Sequence, residues 1–411
     1  MKKLMLWVIG GLLGVVLCSA VFAQESETAV RMLYLEQSGY LPDEIRMLTA
    51  MFNNLTGIEV KIEYVRYDEA YAKILNADSS YDVVSLDQLW LADLVSKERL
   101  TPLNDYINRT MRRNMDPTVR NAFQYQGRTW AVPFLVNVQL LFYNEKILKA
   151  AGYKNPPGSL EAMVEQMKAI KQKGIVDYPW TDAWRQDEGL VSEFVWLIGA
   201  FEGELIDKEG TLVFDQSPGV QALEFMATLL TEQLANPIIL KNDELLAKDD
   251  FLSGRAAFTS QWLFLQRLLD DPQVSGIVKQ AKMALLPASK TVAAKTSSVS
   301  AFQGIAILAN SENKELAWKW IEFFTSPLVQ RAFLFEMPVW ESVQTSQDAI
   351  MLDPTMTVKR EQLLNAHYRP MLPNYSQVSS ILQTYLHLAL RGRMEPAAAL
   401  KQAKTEIEKL H

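Results

Sequence analysis

The chain has 411 residues, of which 49% are hydrophobic and 22% charged, and its formal net charge at pH 7 is −7. This length suggests two or more domains, and the acidic balance makes nucleic acid and anionic lipid poor partners. The chain has one cysteine, Cys18, and therefore cannot form a disulfide, a zinc finger or a thiol redox pair within itself.

The first 23 residues have the pattern of an export signal. Lys2 and Lys3 precede an apolar run that begins at Leu4, and Val21-Phe22-Ala23 has the small-residue spacing that signal peptidase cuts. We predict cleavage after Ala23, so that residues 1–23 are a signal peptide and the mature protein is periplasmic. Loss of the two lysines makes the mature chain more acidic by two charges.

Two other readings of the N-terminus stay open. The segment from Leu4 to Phe22 is just long enough to span a membrane as an uncleaved anchor. Cys18 is a candidate for lipid anchoring, but the bulky Leu17 stands where a lipoprotein signal has a small residue, which argues against it.

The first elements after the signal predict a parallel sheet. Ala29 to Leu35 is expected to be a strand, Pro42 to Leu55 an amphipathic helix, and Ile58 to Val65 a second strand. A strand, a helix and a strand in so short a span imply a parallel pair. Tyr81 to Leu86 reads as a third, buried strand. Asp87 follows it directly, at the strand end where open parallel sheets bind ligands.

The rest of the chain continues the α/β pattern. The middle, from about Asn144 to Asp271, is richer in helices, and Trp262 follows a helix end, a glycine turn and a buried strand. Lys290 to Ser300 is polar and predicts the clearest loop of the chain. Two helices are expected at the end, with a stop near Gly392. The predicted fold class is α/β.

Several short blocks resemble a known family when taken in order. They are Asp82-Val83-Val84, Gly127 to Asn144 with Trp130 and Pro133, Gly203-Glu204-Leu205, Phe251 to Ala257, Phe323 to Pro327, and Arg369-Pro370 with Pro373 and Tyr375. Each block is weak alone, but together they resemble the sugar-binding proteins of ABC importers. These belong to the extracellular solute-binding proteins of family 1, maltose/trehalose type.

The resemblance implies a two-lobed periplasmic-binding-protein fold of type II. Each lobe would have a central, mostly parallel sheet flanked by helices, with a hinge between the lobes. The implied N-terminal lobe combines residues 24–135 and 286–336, and the implied C-terminal lobe combines 136–285 and 337–411. The chain crosses between them near Pro133 to Asn137, Leu285 to Pro287 and Met337 to Trp340.

The same resemblance implies capture of a sugar in the interlobe cleft and its delivery to an inner-membrane ABC permease with its ATPase. The protein is then a transport protein and not an enzyme. We expect a monomer without cofactor, catalytic residues, metal or nucleic-acid partner.

A sugar offers hydroxyls at its edge and C–H patches on its faces, so its receptor needs aromatic surfaces and hydrogen-bonding groups. The candidate ligand-binding residues are Glu36, Gln37, Asp87, Asn137, Trp184, Glu202, Trp262, Phe302, Trp340 and Arg369. By resemblance, Trp262 stacks on the sugar and Arg369 bonds its hydroxyls. The alternative for the aromatic residues is packing in the core, and that for Arg369 is a salt bridge to the last helix. For the acidic and amide residues it is a helix cap or turn (Glu36, Gln37, Asp87) or a solvated turn (Glu202).

Two departures from the family pattern lie near the predicted cleft. Ser300 to Gly304 replaces the usual pair of glycines, and Trp340 stands where a basic residue is usual. They put the family's usual ligand in doubt without threatening the fold.

Three other functions stay open, and one of them is a receptor adaptor that presents the ligand to a membrane sensor. The same fold with an acidic cleft would take a cationic metabolite such as a polyamine, and its binding would weaken with salt. A secreted glycosidase would use a pair of carboxylates, but the sequence has no motif that marks such a pair.

Overall fold

The computed structural model describes residues 29–36, 39–78, 80–334 and 336–410, so the predicted export signal with Cys18 lies outside the described residues. The strands are β1 Ala29–Leu35, β2 Glu59–Val65, β3 Val83–Asp87, β4 Gln124–Tyr125, β5 Arg128–Thr129, β6 Val132–Val138, β7 Leu140–Asn144, β8 Phe258–Gln261, β9 Ala281–Ala284, β10 Ser298–Ile307 and β11 Ala366–His367. The helices are α1 Pro42–Thr56, α2 Tyr67–Leu75, α3 Gln88–Ser96, α4 Arg109–Asn114, α5 Pro117–Asn121, α6 Glu145–Ala151, α7 Leu160–Gln172, α8 Glu188–Ala200, α9 Ser217–Thr231, α10 Glu244–Leu252, α11 Phe264–Leu268, α12 Lys314–Phe324, α13 Pro327–Ala332, α14 Glu341–Gln344, α15 Gln347–Leu352, α16 Met356–Leu364, α17 Tyr375–Leu390 and α18 Pro396–Ile407. Short 3-10 turns lie at Pro237–Lys241 and Glu408–Leu410.

The first three strands confirm the predicted parallel arrangement. β1 pairs in parallel with β2 on one side and with β3 on the other. Between β1 and β2, α1 buries Ile45, Leu48 and Phe52 against the sheet and ends at Gly57, whose φ of 73° suits glycine. The carboxyl ends of the three strands therefore meet at one edge of the sheet.

The described residues contain two main sheets and a two-stranded one, β4-β5. The larger has the order β11-β10-β3-β1-β2, with β6 also paired to β10. The smaller has the order β8-β7-β9, and both of its pairings are antiparallel. The expectation of a mostly parallel sheet thus holds for β1, β2 and β3. Beside the smaller sheet, the parallel contacts are two isolated bridges that Trp180 forms with Ala235 and with Phe258.

The buried apolar residues form two separate cores. The first core packs on the larger sheet and contains residues from β1, β2, β3, β6, α12 and the segment 337–363. The second core contains residues from α7, α8, α9, α17 and α18. We call the parts of the chain around these cores the first and second lobes. The exact lobe boundaries that we predicted stay a prediction.

β10 changes one sequence-based expectation. The predicted loop from Lys290 to Ser300 ends early, because β10 begins at Ser298. Its serines are fully buried, and the Ser298 hydroxyl donates to the Gln139 carbonyl at 2.7 Å. Polar side chains that bond to backbone inside the protein read as a loop by composition alone.

Within the described ranges, no helix is long and apolar enough to cross a bilayer.

Candidate functional site

The edge where β1, β2 and β3 end carries several polar side chains. Glu36 follows β1 and is exposed, Tyr67 opens the helix after β2, and Asp87 ends β3. The Asp87 carboxylate accepts the Leu89 N–H at 2.9 Å and the Tyr67 hydroxyl at 3.1 Å. Burial raises the pKa of Asp87, and the positive charge of Arg369 opposes this shift. Asp87 thus caps α3 and also lies within electrostatic range of Arg369.

Arg369 belongs to a polar network on the second lobe. Its Nη1 donates to Glu188 Oε1 at 2.8 Å, and the Tyr375 hydroxyl donates to the same oxygen at 2.6 Å. The Ser379 hydroxyl donates to the other oxygen of Glu188. Arg369 is 4% exposed, and the negative charge of Glu188 keeps its pKa above the ordinary arginine value despite burial. The cation is therefore held in place before any ligand arrives.

A cleft of about 990 Å³ opens between the two lobes. The first lobe contributes Gln88 and Asn121 to its walls, and the second contributes Glu202 and Asp207. The segment from Leu364 to Met371, which includes Arg369, lines it as well. We call this space the interlobe cleft.

A smaller pocket of about 260 Å³ adjoins the interlobe cleft. Leu89 and Leu372 line the pocket, while their chain neighbours Gln88 and Met371 line the cleft. We call this space the aromatic pocket, because Tyr67, Tyr71, Trp90 and Tyr375 form much of its wall. It too lies between the lobes.

Two polar atoms in the wall of the interlobe cleft are buried and have no hydrogen-bond partner in the described part of the chain. They are Gln88 Oε1, an acceptor, and Arg369 Nε, a donor. A buried polar group without a partner costs about 1–3 kcal/mol, so each of these two atoms gains from a partner that the described chain does not supply.

Trp262 lies one residue beyond β8, as predicted. Its indole N–H donates to Glu244 Oε1 at 2.6 Å, and the residue is 6% exposed. Burial raises the pKa of Glu244 to about 7, while the bond from Trp262 acts in the opposite direction. Asn137, on β6, accepts the Leu263 N–H at 3.1 Å and so connects β6 to the segment after β8.

Three predicted aromatic contacts are buried in the cores. Trp184 packs in the second core, whereas Phe302 and Trp340 pack in the first. The Trp340 indole donates to the Thr325 carbonyl at 2.7 Å, and the Phe302 ring lies 5.8 Å from the ring of Tyr368. In this conformation the three rings contact protein, so their predicted contacts with ligand stay predictions.

Glu202 is exposed and lines the interlobe cleft. Its φ of 58° lies in the left-handed region, and its carboxylate accepts the Ala294 N–H at 2.8 Å. Gln37 lies outside the described residues. Of the predicted set, Glu202 and Arg369 line the interlobe cleft, and Asp87 lies next to Gln88 in its wall.

The sequence reasoning missed Gln88, Glu188, Tyr67 and Tyr375. The sequence does contain a signal that Gln88 belongs to the site, because Gln88 is the first residue after a capping aspartate at a strand's carboxyl end. Glu188 has the same kind of signal, since Asp187 caps α8 directly before it. Its bond to Arg369 joins residues 181 positions apart, and no local pattern predicts that contact.

The two lobes, the cleft between them and its hydrogen-bonding walls define a binding protein of the two-lobed type. The chain belongs to the bacterial extracellular solute-binding proteins, whose family model matches residues 39–331.

Solved structures of this type share the fold over nearly the whole chain. The maltose-bound MalE3 of T. maritima has a TM-score of 0.84 and 25% identity, covering 93% of this chain and 100% of that one. A solute-binding protein of an ABC transporter from Thermotoga lettingae TMO, bound with alpha-D-tagatose, has a TM-score of 0.82 and 22% identity, covering 93% and 99%.

A maltotriose-binding protein of Pyrococcus abyssi (strain GE5 / Orsay) is 22% identical over 334 residues, which is 78% of this chain and 68% of that protein. Each of these three relatives is described by the ligand that it binds. The predicted family and the two-lobed α/β fold are therefore confirmed.

Proposed function

We propose that this protein binds a sugar, either a mono- or an oligosaccharide, in the interlobe cleft and delivers it to an ABC import permease. The observation that carries the proposal is the interlobe cleft with its hydrogen-bonding walls, in which the lining residues Gln88 and Arg369 each have one buried polar atom without a partner, Oε1 and Nε. A hydroxyl both donates and accepts hydrogen bonds, so a ligand rich in hydroxyls satisfies both atoms. The three relatives bind maltose, alpha-D-tagatose and maltotriose, which supports this ligand class.

The size of the cleft supports a ligand of more than one sugar ring. Its volume of about 990 Å³ equals the share of roughly thirty water molecules in the liquid. A single pyranose would leave much of that space to water, so oligosaccharides are the first ligands to test.

We take Gln88, Glu202 and Arg369 as the residues that contact the ligand, with Asp87 and Glu188 holding two of them in position. This assignment is supported by their places in the cleft wall and by their hydrogen bonds. Among the aromatic residues predicted from the sequence, we propose Trp262, whose indole is bonded to Glu244, as the aromatic surface that contacts the sugar.

The proposal includes export and the absence of catalysis. Cleavage after Ala23 would release a periplasmic monomer that passes its ligand to the permease and its ATPase. Both oxygens of Glu188 and of Asp87 already accept hydrogen bonds from protein groups, which suits a positioning role better than proton transfer. The mass of the secreted protein tests the cleavage site, because a mature chain should begin at Gln24.

The second candidate ligand for the same cleft is a cationic metabolite such as a polyamine. Glu202, Glu204 and Asp207 line the cleft, and this observation favours a cation. Lys208 and Arg369 line it too and partly cancel that charge. Binding of a cation should weaken as salt rises, whereas binding of a neutral sugar should stay nearly constant.

The test is a titration of the mature protein followed by tryptophan fluorescence. The ligands are glucose, maltose, trehalose, sucrose, longer oligosaccharides and spermidine, each at low and high salt. We expect one or more sugars to give a saturable signal that salt does not change. Gln88→Ala should weaken that sugar's binding by roughly tenfold, because a hydroxyl loses its buried acceptor.

Gln172→Ala is the matched control, since Gln172 is exposed at the end of α7 and lies outside the cleft wall. Its affinity should equal that of the unchanged protein. A response to spermidine alone, release of shorter sugars during the titration, or equal effects of the two substitutions would each contradict the proposal.

A further inference from the structure

Two carboxyl groups meet inside the second lobe, behind the walls of the interlobe cleft and the aromatic pocket. Asp182 and Glu193 are each 1% exposed and line neither space. The Ser260 hydroxyl oxygen lies between them, 2.9 Å from Asp182 Oδ2 and 2.5 Å from Glu193 Oε2. Among the described residues, no basic side chain forms an ion pair with either acid. Burial of two acids without a counterion is costly unless one of them retains a proton.

The hydrogen-bond pattern requires one proton between the two acids. A serine hydroxyl has a single proton, so Ser260 donates to one carboxyl group, and the other group must donate to the serine oxygen. Glu193 accepts the Trp196 indole N–H and the Gln139 amide N–H, both at 2.6 Å. Burial raises the pKa of Glu193, but these bonds oppose the shift and favour its ionised form. Burial and the negative charge of Glu193 both raise the pKa of Asp182, so the proton lies on Asp182.

The charges around the pair do not replace that proton. Glu244 on α10 is a further acid, and its raised pKa includes a contribution from Glu193. Glu188, at the start of α8, is bonded to Arg369. Six more charged or imidazole side chains lie on the segments packed around the pair, and in the described part of the chain none of them is among the strongest influences on either acid. They are Arg185, Asp187, Glu224, Asp250, His367 and His387.

Glu193 connects the pair to one of the crossings between the lobes. Gln139 lies between β6, which pairs with β10 in the larger sheet, and β7, which belongs to the smaller sheet. Its backbone N–H donates to the Val299 carbonyl at 3.2 Å, whereas its side chain donates to Glu193 at 2.6 Å. β10 and α8 thus hold the same residue from two sides. Ser260 extends the connection to β8, which leads to Trp262.

We propose that Asp182 and Glu193 share one proton through Ser260, and that this proton holds the crossing at Gln139 in the position that sugar binding needs. Loss of the proton at alkaline pH places two anions side by side, where the ionised Asp182 competes for the Ser260 hydroxyl and repels Glu193. The bond from Gln139 to Glu193 then weakens. The two acids are positioning residues that make the hinge sensitive to pH. The link to sugar binding rests on the proposed function, whereas the shared proton does not.

Asp182→Asn tests the shared proton. Its amide donates to Ser260 as the protonated acid does, but it cannot lose that proton at alkaline pH. All comparisons use the mature Glu244→Gln protein as the parent, so that titration of Glu244 does not contribute. Infrared difference spectra of the sugar-free proteins at pH 7 should show a carboxylic acid band that Asp182→Asn removes.

Sugar titrations at pH 7 and pH 10 test the hinge. The affinity of the parent should fall by roughly tenfold at pH 10. Asp182→Asn should abolish this fall and bind sugar more tightly than the parent at pH 10, a gain that damage to the fold cannot produce. Glu193→Gln should weaken binding by roughly tenfold already at pH 7, because its NH₂ group faces one of the N–H or O–H donors that the carboxylate accepts.

Asp177→Asn is the matched control, because Asp177 is an exposed acid in the segment before Asp182. It should keep both the infrared band and the alkaline loss of affinity. Should Asp182→Asn fail to fold by thermal unfolding, Asp182→Ser carries the same expectations, since it also replaces the acid by a donor that does not titrate in this range.

Three results would overturn the inference: an infrared spectrum that Asp182→Asn does not change, equal losses of affinity at pH 10 in the parent and in Asp182→Asn, or full affinity of Glu193→Gln at pH 7. Constant affinity of the parent from pH 7 to pH 10 would overturn it too. A sugar panel without any response would contradict the proposed function, and the infrared band would still decide whether the two acids share a proton.

Discussion

Among single residues, Glu244 has the most informative surroundings. Its carboxyl group accepts the indole N–H of Trp262, and burial raises its pKa to about 7. The opposing bond from Trp262 stabilises the ionised form without overcoming the cost of burial. Near neutral pH the group therefore exists in both protonation states, directly beside the tryptophan that we expect to face the ligand.

Glu244→Gln should remove a pH dependence of stability. The folded pKa lies above the unfolded value, so the unfolded chain binds fewer protons between about pH 4.5 and 7, and the free energy of unfolding falls as the pH rises through that window. Because the residue is partly exposed, we expect a total effect on the order of 1–3 kcal/mol. Urea unfolding at pH 5, 6, 7 and 8 measures it.

The difference in stability between Glu244→Gln and the unchanged protein should thus grow in favour of the variant from pH 5 to pH 8. Glu341→Gln serves as the control, because Glu341 is exposed on α14. Parallel curves for Glu244→Gln and the unchanged protein would show that the carboxyl group does not titrate in this window.

At the level of the elements, α8 connects the second core to the cleft. From Leu190 to Ala200 it is buried, and it packs on β10 and β11. Close approach of β11 depends on Gly199, because a Cβ at this position would lie 2.2 Å from the imidazole of His367 and 2.5 Å from the Ser297 hydroxyl. His367 lines the interlobe cleft, so the glycine sets the position of a cleft wall.

Gly199→Ala should destabilise the protein although alanine is the better helix former. The gain in helix propensity is about 1 kcal/mol, whereas overpacking of a core costs about 1–3 kcal/mol. The displaced His367 should also weaken ligand binding, and thermal unfolding with ligand titration measures both effects. Gly158→Ala, where the added methyl meets open space, should change neither. Equal behaviour of the two variants would refute the close-packing explanation.

The elements also show what the sequence predicts well. The strand from Ala29 to Leu35 and the end of the third strand at Asp87 agree with the structure, because hydrophobic spacing and capping are local signals. The sequence does not show the direction in which the Phe302 and Trp340 side chains point, because the face to which an aromatic side chain points depends on packing with distant residues. The same holds for the bond between Arg369 and Glu188, which folding brings together from separate parts of the chain.

On the scale of the whole molecule, β10 links the two cores. Val299 and Ala301 belong to the second core, whereas Phe302 and Ile305 belong to the first. β6 runs beside β10 and continues into β7, so a narrow set of strands joins two large lobes. We expect lobes connected in this way to rotate about the connecting strands as units, so that a ligand that touches both lobes favours the closed arrangement.

Ligand binding should therefore protect both lobes from hydrogen exchange together. With a saturating sugar, amides of α3 in the first lobe and of residues 199–208 in the second should exchange more slowly, because opening of the cleft requires release of the ligand. Exchange followed by mass spectrometry measures this. The amides of α18, which packs on α17 and α9 away from the cleft wall, report on the protein as a whole. Protection of one lobe alone would mean that the sugar is held without closure, and the shared cleft would then lose its role in capture.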